Sequence, residues 1–358
     1  QMSRVAVLCS GGVDSSVALM RLAAAGGHEL TAVYLKIWLE DELAFLGRCP
    51  WEEDLELVRR VCEMAAVPLE VVPLQREYLE TVVAYALDEL RAGHTPSPDV
   101  MCNRMIKFGA FVERSGDAFD LVASGHHARV DHGGGLSRLL RAADRRKDQT
   151  YFLCQLEQRQ LARCLFPVGD STKDQVRAEA RRLELPNASR PDSQGICFLG
   201  RVPFDDFVRH HLGERPGEIR DVDTGAVLGE HRGLWFFTIG QRHGLDLAGG
   251  PWYVVGKDRS TDALLVVHRE RLEHRTRREF LIPRPHWIAE PPTRADLEVK
   301  IRHGERLEPC TVSEGAHGSL VVTLRDATDP GIAPGQFAAF YDGEECLGGG
   351  VIAWPGQF

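Results

Sequence analysis

The stretch that most constrains the fold is RVAVLCSGGVDSSVALMRLAAAGG, residues 4–27. A short apolar run at 4–9 enters a Gly-Gly turn, and a helix-patterned run follows and ends at Gly26-Gly27. The unit then recurs. ELTAVYLKIW reads as a second strand, PWEEDLELVRRVCEMAAV as a helix, and PLEVVPL as a third strand. EYLETVVAYALDELRAG is a long helix, MIKFGAFVERSG another, and FDLVASGHHA a strand ending in a Gly-His turn. This β-α-β-α alternation predicts an α/β domain built on a doubly wound parallel sheet. Such sheets bind ligands beyond the carboxyl ends of their strands, where SGGVDSS and the Gly-His turn both fall.

After residue 200 the texture changes to one short helix and Gly-punctuated strands. From about residue 276 only strand-like runs remain: LEVKIR, EPCTVSE, SLVVTLRD, QFAAFYD and CLGGGVIAW. Short strands separated by turn signals predict a small β-barrel. The expected organisation is an α/β domain over 1–200, a small α+β domain over 201–272 and a β-barrel over 276–358. A chain of 358 residues has room for two or three such units.

Composition narrows the class. No apolar run approaches the roughly 18 residues that span a bilayer. No secretory signal precedes the first strand, so the expected compartment is the cytoplasm or the soluble interior of an organelle. The nine cysteines are irregularly spaced and include no CxxC pair, which argues against a zinc ribbon or a disulfide framework. A net charge of −9 argues against a protein that coats nucleic acid along its whole surface. Two local basic runs remain, RAADRRKDQ at 141–149 and HRTRREF at 274–280; by itself a short charge run is a solvated face.

The chemistry concentrates in Ser10-Gly11-Gly12-Val13-Asp14-Ser15-Ser16. Glycines let backbone approach a ligand closely, a helix N-terminus offers N–H groups and a positive dipole end, and three serines add hydroxyls. Together they suit phosphate, against the plainer alternative of a Gly-Gly turn with a Ser or Asp cap. The loop is neither GxxxxGK[ST] nor GxGxxG. Cys102, in TPSPDVMCN, reads in isolation as a small core hydrophobe or a nucleophile.

SGGVDSS after a first strand resembles the PP-loop of ATP pyrophosphatases. The resemblance implies that Leu8, Cys9, Ser10, Gly11, Gly12, Val13, Asp14 and Ser15 hold the ATP phosphates, with Asp14 positioning pyrophosphate or Mg²⁺. It places Leu35 against adenine and Gly125 against the nucleotide. Further motifs follow in order: TPSPDVMCNRMIKFGAF, ASGHHAR, KDQTYFL, DSQGICFLG, TIGQRHGL, GGPWYVV and PGQFAAFYDGEECLGGGVI. Nearly end to end, the chain resembles the tRNA-specific 2-thiouridylases, which thiolate the wobble uridine, U34.

The resemblance implies that ATP adenylates the uridine C2 oxygen and that sulfur arrives as a persulfide on Cys197. It assigns to Cys102 the attack that frees the sulfur and leaves a Cys102–Cys197 disulfide. Asp99 becomes a general acid/base; its plainer alternative, which could hold alongside, is to cap a helix beginning near Val100. Ser97 and Pro98, with Asp99, would meet the base. His126, Lys147, Asp148, Gln149, Arg302, His303 and Gln336 would meet tRNA, Gln336 having a turn role as its alternative. The implied partners are tRNAs of the Lys, Glu and Gln type and a sulfur-donor protein, with no membrane, and the chain is expected to be a monomer. Two positions depart from the pattern: Ser97 stands where Asn is usual, and His127 where Tyr is common. Cys9, Cys49, Cys62, Cys154, Cys164, Cys310 and Cys346 are expected to pack in the core, Cys9 adding only backbone to the phosphate loop. The rival readings are another PP-loop enzyme that adenylates a small molecule, and a non-catalytic RNA-binding or sulfur-relay protein.

Overall fold

The computed structural model describes residues 2–37, 50–192, 203–326 and 328–356. Of the first seven strands, β1 (Ser3–Leu8), β2 (His28–Lys36), β3 (Leu69–Pro73), β4 (Leu121–Ser124) and β7 (Cys164–Leu165) form one parallel sheet, in the order β3-β2-β1-β4-β7. β5 (Ala128–Asp131) and β6 (Arg138–Arg141) form a hairpin outside it. The two-residue period of a strand sends alternate side chains to opposite faces. Val5, Val7 and Cys9 therefore pack with Leu55, Val58 and Val61 of helix Pro50–Ala65. Ala6 and Leu8 join a core with Tyr78, Val82, Cys102 and Ile106 on the other face. Helices on both faces make this the doubly wound sheet that the alternation predicts.

Four strands form the central sheet: β8 (Gly217–Asp221), β9 (Val227–His231), β10 (Trp252–Asp258) and β11 (Ala263–His268), ordered β10-β11-β8-β9. Helix Phe204–Leu212 precedes them. The last seven strands are β12 (Glu279–Ile282), β13 (His286–Trp287), β14 (Asp296–Lys300), β15 (Glu308–Glu314), β16 (Leu320–Leu324), β17 (Phe337–Asp342) and β18 (Glu345–Val351). Their path is β12-β16-β15-β14-β17-β18. Leu281 and Ala353 exchange two backbone hydrogen bonds of 2.9 Å, which tie β12 back to the end of β18 and close the barrel.

The barrel does not stop at the α/β domain. β6 pairs with the start of β18 through Leu139↔Cys346 and Leu140↔Glu345, so the β5–β6 hairpin extends the barrel's sheet. Beneath this junction Lys300 Nζ lies 3.0 Å from Asp148 Oδ2, both side chains fully buried. Asp148 also accepts from the Ala142 N–H and the Thr150 hydroxyl, at 3.0 and 2.8 Å.

Candidate active site

The loop after β1 folds around its own serines. Gly11 has φ +82°, the left-handed region in which glycine carries no Cβ penalty. The Gly12 carbonyl accepts from Ser15 Oγ at 3.2 Å and Ser16 Oγ at 2.9 Å, and Ser10 N–H donates to Ser15 Oγ at 3.3 Å. Helix Val13–Ala25 begins with Val13, Asp14 and Ser15, whose N–H groups have no carbonyl within the helix to reach. A distant segment braces the turn. Asn187 Nδ2 donates to the Gly11 carbonyl and to Ser16 Oγ, each at 2.8 Å. Arg190 also donates to the Gly11 carbonyl, at 3.1 Å, and pairs with Asp54. Serine hydroxyls, first-turn N–H groups and a turned glycine make a cradle that fits the phosphates of ATP.

Gly125 belongs to this cradle for a reason the sequence does not reveal. A Cβ there would lie 2.5 Å from Ser15 N and 2.8 Å from Ser15 Cα. The glycine lets the end of β4 approach the loop itself.

Asp14 is tightly held. Lys173 Nζ donates to its two oxygens at 2.6 and 2.7 Å, and His127 Nε2 lies 3.3 Å from Oδ1. Burial pushes the Asp14 carboxyl up, but His127 and Lys173 outweigh it and hold it below the ordinary carboxylate value. Lys173 also pairs with Asp192 at 2.8 Å, as does Lys147, and Arg177 bonds the same carboxylate. Burial again opposes ionisation of Asp192, and Lys147 and Lys173 overcome it. The Mg²⁺ contact expected at Asp14 thus faces a competitor, because Lys173 occupies both oxygens. Among the described residues, no group of three His, Cys, Asp or Glu side chains is arranged to hold a metal ion.

The opening cysteine motif lies on a helical run over 98–115. Ser97 takes the N-cap position without a side-chain cap bond, and Pro98 and Asp99 stand in the first turn. Asp99 is therefore inside the helix rather than capping it. Cys102 is fully buried, packed in the core on one face of the parallel sheet. From Asn103 to Ala110 the run widens to a π turn. Gly109 permits this, since a Cβ there would sit 2.6 Å from the Arg104 carbonyl. Gln160 Nε2 donates to the carbonyls of Arg104 and Phe108, at 2.9 and 2.8 Å.

Beside this helix opens a cavity of about 420 Å³. Ser97, Pro98, Asp99 and Phe152 line it from the α/β domain, His303 and Gln336 from the barrel, and Phe204, Trp235 and Phe236 from the central domain. His303 stacks on Phe152, with ring centroids 4.5 Å apart and planes 28° apart. Burial, with Lys300 nearby, lowers the His303 pKa below its ordinary value although Asp148 and Asp99 oppose this. Gln336 Nε2 donates to the carbonyls of Thr95 and Pro96, at 3.0 and 2.9 Å, and so clamps the barrel onto the loop before Ser97. Its turn role and its place at the cavity coexist.

The structure thus gathers Ser97, Pro98, Asp99, His303 and Gln336 at one cavity, and Asp14 and Gly125 at the cradle. The other expected tRNA contacts are dispersed. The Asp148 side chain cannot reach a nucleic acid, being 1% exposed and paired with Lys300. The Gln149 side-chain oxygen accepts the His127 N–H and the Gln149 backbone N–H donates to the His127 carbonyl, both at 2.8 Å. Arg302 forks onto Asp329. His126 is half-buried between the rings of Phe108 and Phe166, with Nδ1 2.8 Å from Ser124 Oγ. Lys147 keeps an exposed side chain. Leu35 lies on β2 and Leu8 at the end of β1. Cys9, Cys62, Cys154, Cys164, Cys310 and Cys346 are buried, as expected of packing residues. Cys197 and Cys49 lie outside the described residues.

Sequence reasoning did not find Lys173, Asp192, Asn187 or Arg190, which reach the cradle from far along the chain and belong to no local motif. It noted His127 only as a departure, where the structure gives it Asp14 as a partner.

Three family profiles match in succession. The tRNA methyl transferase HUP domain matches residues 3–201, the tRNA methyl transferase PRC-barrel domain 205–268, and the Aminomethyltransferase beta-barrel domain 277–352. The chain is 43% identical over 355 residues to tRNA-specific 2-thiouridylase MnmA 1 of Bacteroides thetaiotaomicron, covering 97% of this chain and 99% of that protein. It is 41% identical over 363 residues to tRNA-specific 2-thiouridylase MnmA of Porphyromonas gingivalis, covering 97% and 98%. Among solved structures it is similar to the U34-tRNA thiolase NcsA of Methanococcus maripaludis, at 18% identity and a TM-score of 0.36, over 60% of this chain and 69% of that one. With a parallel sheet carrying SGGVDSS, a central unit and a closing barrel all matched in order, this chain belongs to the tRNA-specific 2-thiouridylase family.

Proposed function

We propose that the protein replaces the C2 oxygen of the wobble uridine, U34, of tRNA by sulfur, in a reaction driven by ATP. The carrying observation is a pairing within one chain. A phosphate cradle ends β1, and a helix on the same sheet brings Asp99 to a cavity of about 420 Å³, with room for a nucleobase, and Cys102 lies one turn further on. Likeness to thiouridylases along the whole chain supports the reading.

The uridine C2 oxygen attacks the α-phosphorus of ATP and pyrophosphate leaves. The terminal sulfur of a persulfide on Cys197 then attacks C2, and AMP departs with the original oxygen. The Cys102 thiolate attacks Cys197 Sγ, which breaks the S–S bond, leaves the sulfur on C2 and forms a Cys102–Cys197 disulfide that an external thiol reduces. Asp99 moves the proton at the ring, while Ser97 and Pro98 contact its edge. Leu8 to Ser15 hold the phosphates, Leu35 meets adenine, and Mg²⁺ accompanies the triphosphate. Lys147, His126, Arg302, His303 and Gln336 face the tRNA, where exposed cations give salt-dependent affinity. The substrates are tRNAs of the Lys, Glu and Gln type, and a separate protein delivers sulfur. The chain acts as a monomer in a soluble compartment and divides at 1–200, 201–272 and 276–358.

Pyrophosphate release tests this reading. Unmodified tRNA is expected to stimulate release from ATP, whereas a panel of small carboxylic acids is not. Stimulation by a small acid alone would favour a small-molecule ligase, and no release with any tRNA would favour a non-catalytic binder.

A further inference from the structure

The phosphate loop lacks a cation of its own. Residues 10–16 contain no Lys or Arg, whereas a GxxxxGK[ST] loop brings a lysine to its β- and γ-phosphates. We propose that Lys173, 159 residues beyond Asp14, supplies that charge. In this assignment Lys173 binds the β- and γ-phosphates of ATP and then the departing pyrophosphate. The inference rests on the ATP reading above and adds a residue that no motif of the loop contains.

Lys173 opens helix Lys173–Arg182, whose start is fixed by the Thr172–Gln175 capping box, and its own N–H donates to Asp144 Oδ2 at 2.9 Å. Val176 and Ala180 of this helix pack against Val13 and Val17 of the helix that begins in the cradle. The two helices hold the ammonium against Asp14 with little freedom to wander.

The Lys173 side chain is only 8% exposed, and burying an ammonium costs free energy unless it is paired. Asp14 and Asp192 pair it, but Lys147 and Arg177 share Asp192. Lys147, Lys173 and Arg177 thus converge beside a helix N-terminus, a cluster of cations that suits a polyanion.

An ammonium has three N–H groups, and here two point to Asp14 and one to Asp192. A phosphate oxygen entering beside Asp14 can take one donor while Asp14 keeps the other, so the lysine stays anchored as it binds. As the bond from the α-phosphorus to pyrophosphate breaks, negative charge grows on the leaving group, where a pre-placed cation stabilises it most.

Calorimetric titration with Mg²⁺ present, but without tRNA or sulfur donor, tests the assignment using ATP, AMP and pyrophosphate. Lys173→Gln is expected to lower ATP and pyrophosphate affinity by about tenfold or more and to leave AMP affinity within about twofold. Lys173→Arg should recover part of the loss. AMP binding reports that each variant retains a folded cradle, which a misfolded variant would lack. The combined Lys173→Gln, Asp14→Asn protein should keep the lowered ATP-to-AMP affinity ratio of Lys173→Gln. An unchanged ATP-to-AMP affinity ratio in Lys173→Gln would overturn the inference. Recovery of that ratio in the combined variant would also overturn it, by showing that Lys173 merely neutralises Asp14. If the wild-type protein binds ATP no better than AMP and does not bind pyrophosphate, the ATP reading itself fails and takes the inference with it.

Discussion

Gly125 shows how one residue can carry a site without touching chemistry. Its missing Cβ is what lets β4 meet Ser15. Gly125→Ala is therefore expected to cost about 1–3 kcal/mol in urea unfolding and to weaken ATP binding, because relief requires the loop to retreat. The neighbouring His126 makes a prediction in pH. Burial, then Lys107 and His127, push its pKa well below the ordinary 6.5. The folded protein keeps the ring neutral while the unfolded chain protonates it below that value. Its contribution to stability is thus fully present above pH 6.5 and is lost as pH falls. Unfolding free energy should decline on acidification by up to about 1.4 kcal/mol per pH unit from this group. His126→Gln should show a shallower decline, and an identical slope would contradict the assignment. At this scale the sequence was half legible. SGGVDSS announces a phosphate cradle by its glycines and hydroxyls, but Lys173 and Asp192 carry no local pattern, and only the packing of two distant helices makes them neighbours.

Among the elements, the run over 98–115 does more than present Cys102. Its π turn begins directly after that cysteine, and π turns inside helices frequently mark functional sites. Gln160 satisfies two of its carbonyls, and Gly109 leaves room for the wider coil. Gly109→Ala is expected to destabilise the protein by about 1–3 kcal/mol and to slow sulfur transfer more than tRNA-dependent pyrophosphate release, since Cys102 adjoins the distortion and the cradle does not. Equal loss in both assays would argue against a local effect. Elements with a strong pattern were readable: the central parallel strands are short continuous apolar runs between helix-patterned segments, buried on both faces, and the barrel strands are separated by turn residues. The β5–β6 hairpin was not. Each of its strands is four residues long around a Gly-rich turn, too short for periodicity to show, and its partner β18 comes some 200 residues later in the chain.

For the molecule as a whole, the cavity beside Asp99 is lined by three domains. Gln336 clamps the barrel to the loop before Ser97, and the buried Lys300–Asp148 pair joins the barrel to the segment leading into Thr150–Leu153. Removing one member of a buried pair strands the other charge. Lys300→Met should therefore cost about 3–5 kcal/mol in chemical denaturation, and adding Asp148→Asn should return part of that loss. The domain sequence was legible from composition, whereas the seams between domains were not, because they are made by single side chains with no repeat or motif. The central claim is that one chain couples an ATP cradle to a cysteine-borne sulfur. The direct measurement is mass spectrometry of tRNA after incubation with ATP, Mg²⁺ and a persulfide donor, comparing the wild-type protein with Cys197→Ser. The account predicts 2-thiouridine at U34 with the wild type and none with Cys197→Ser, while that variant still releases pyrophosphate. Undiminished 2-thiouridine from Cys197→Ser would contradict it.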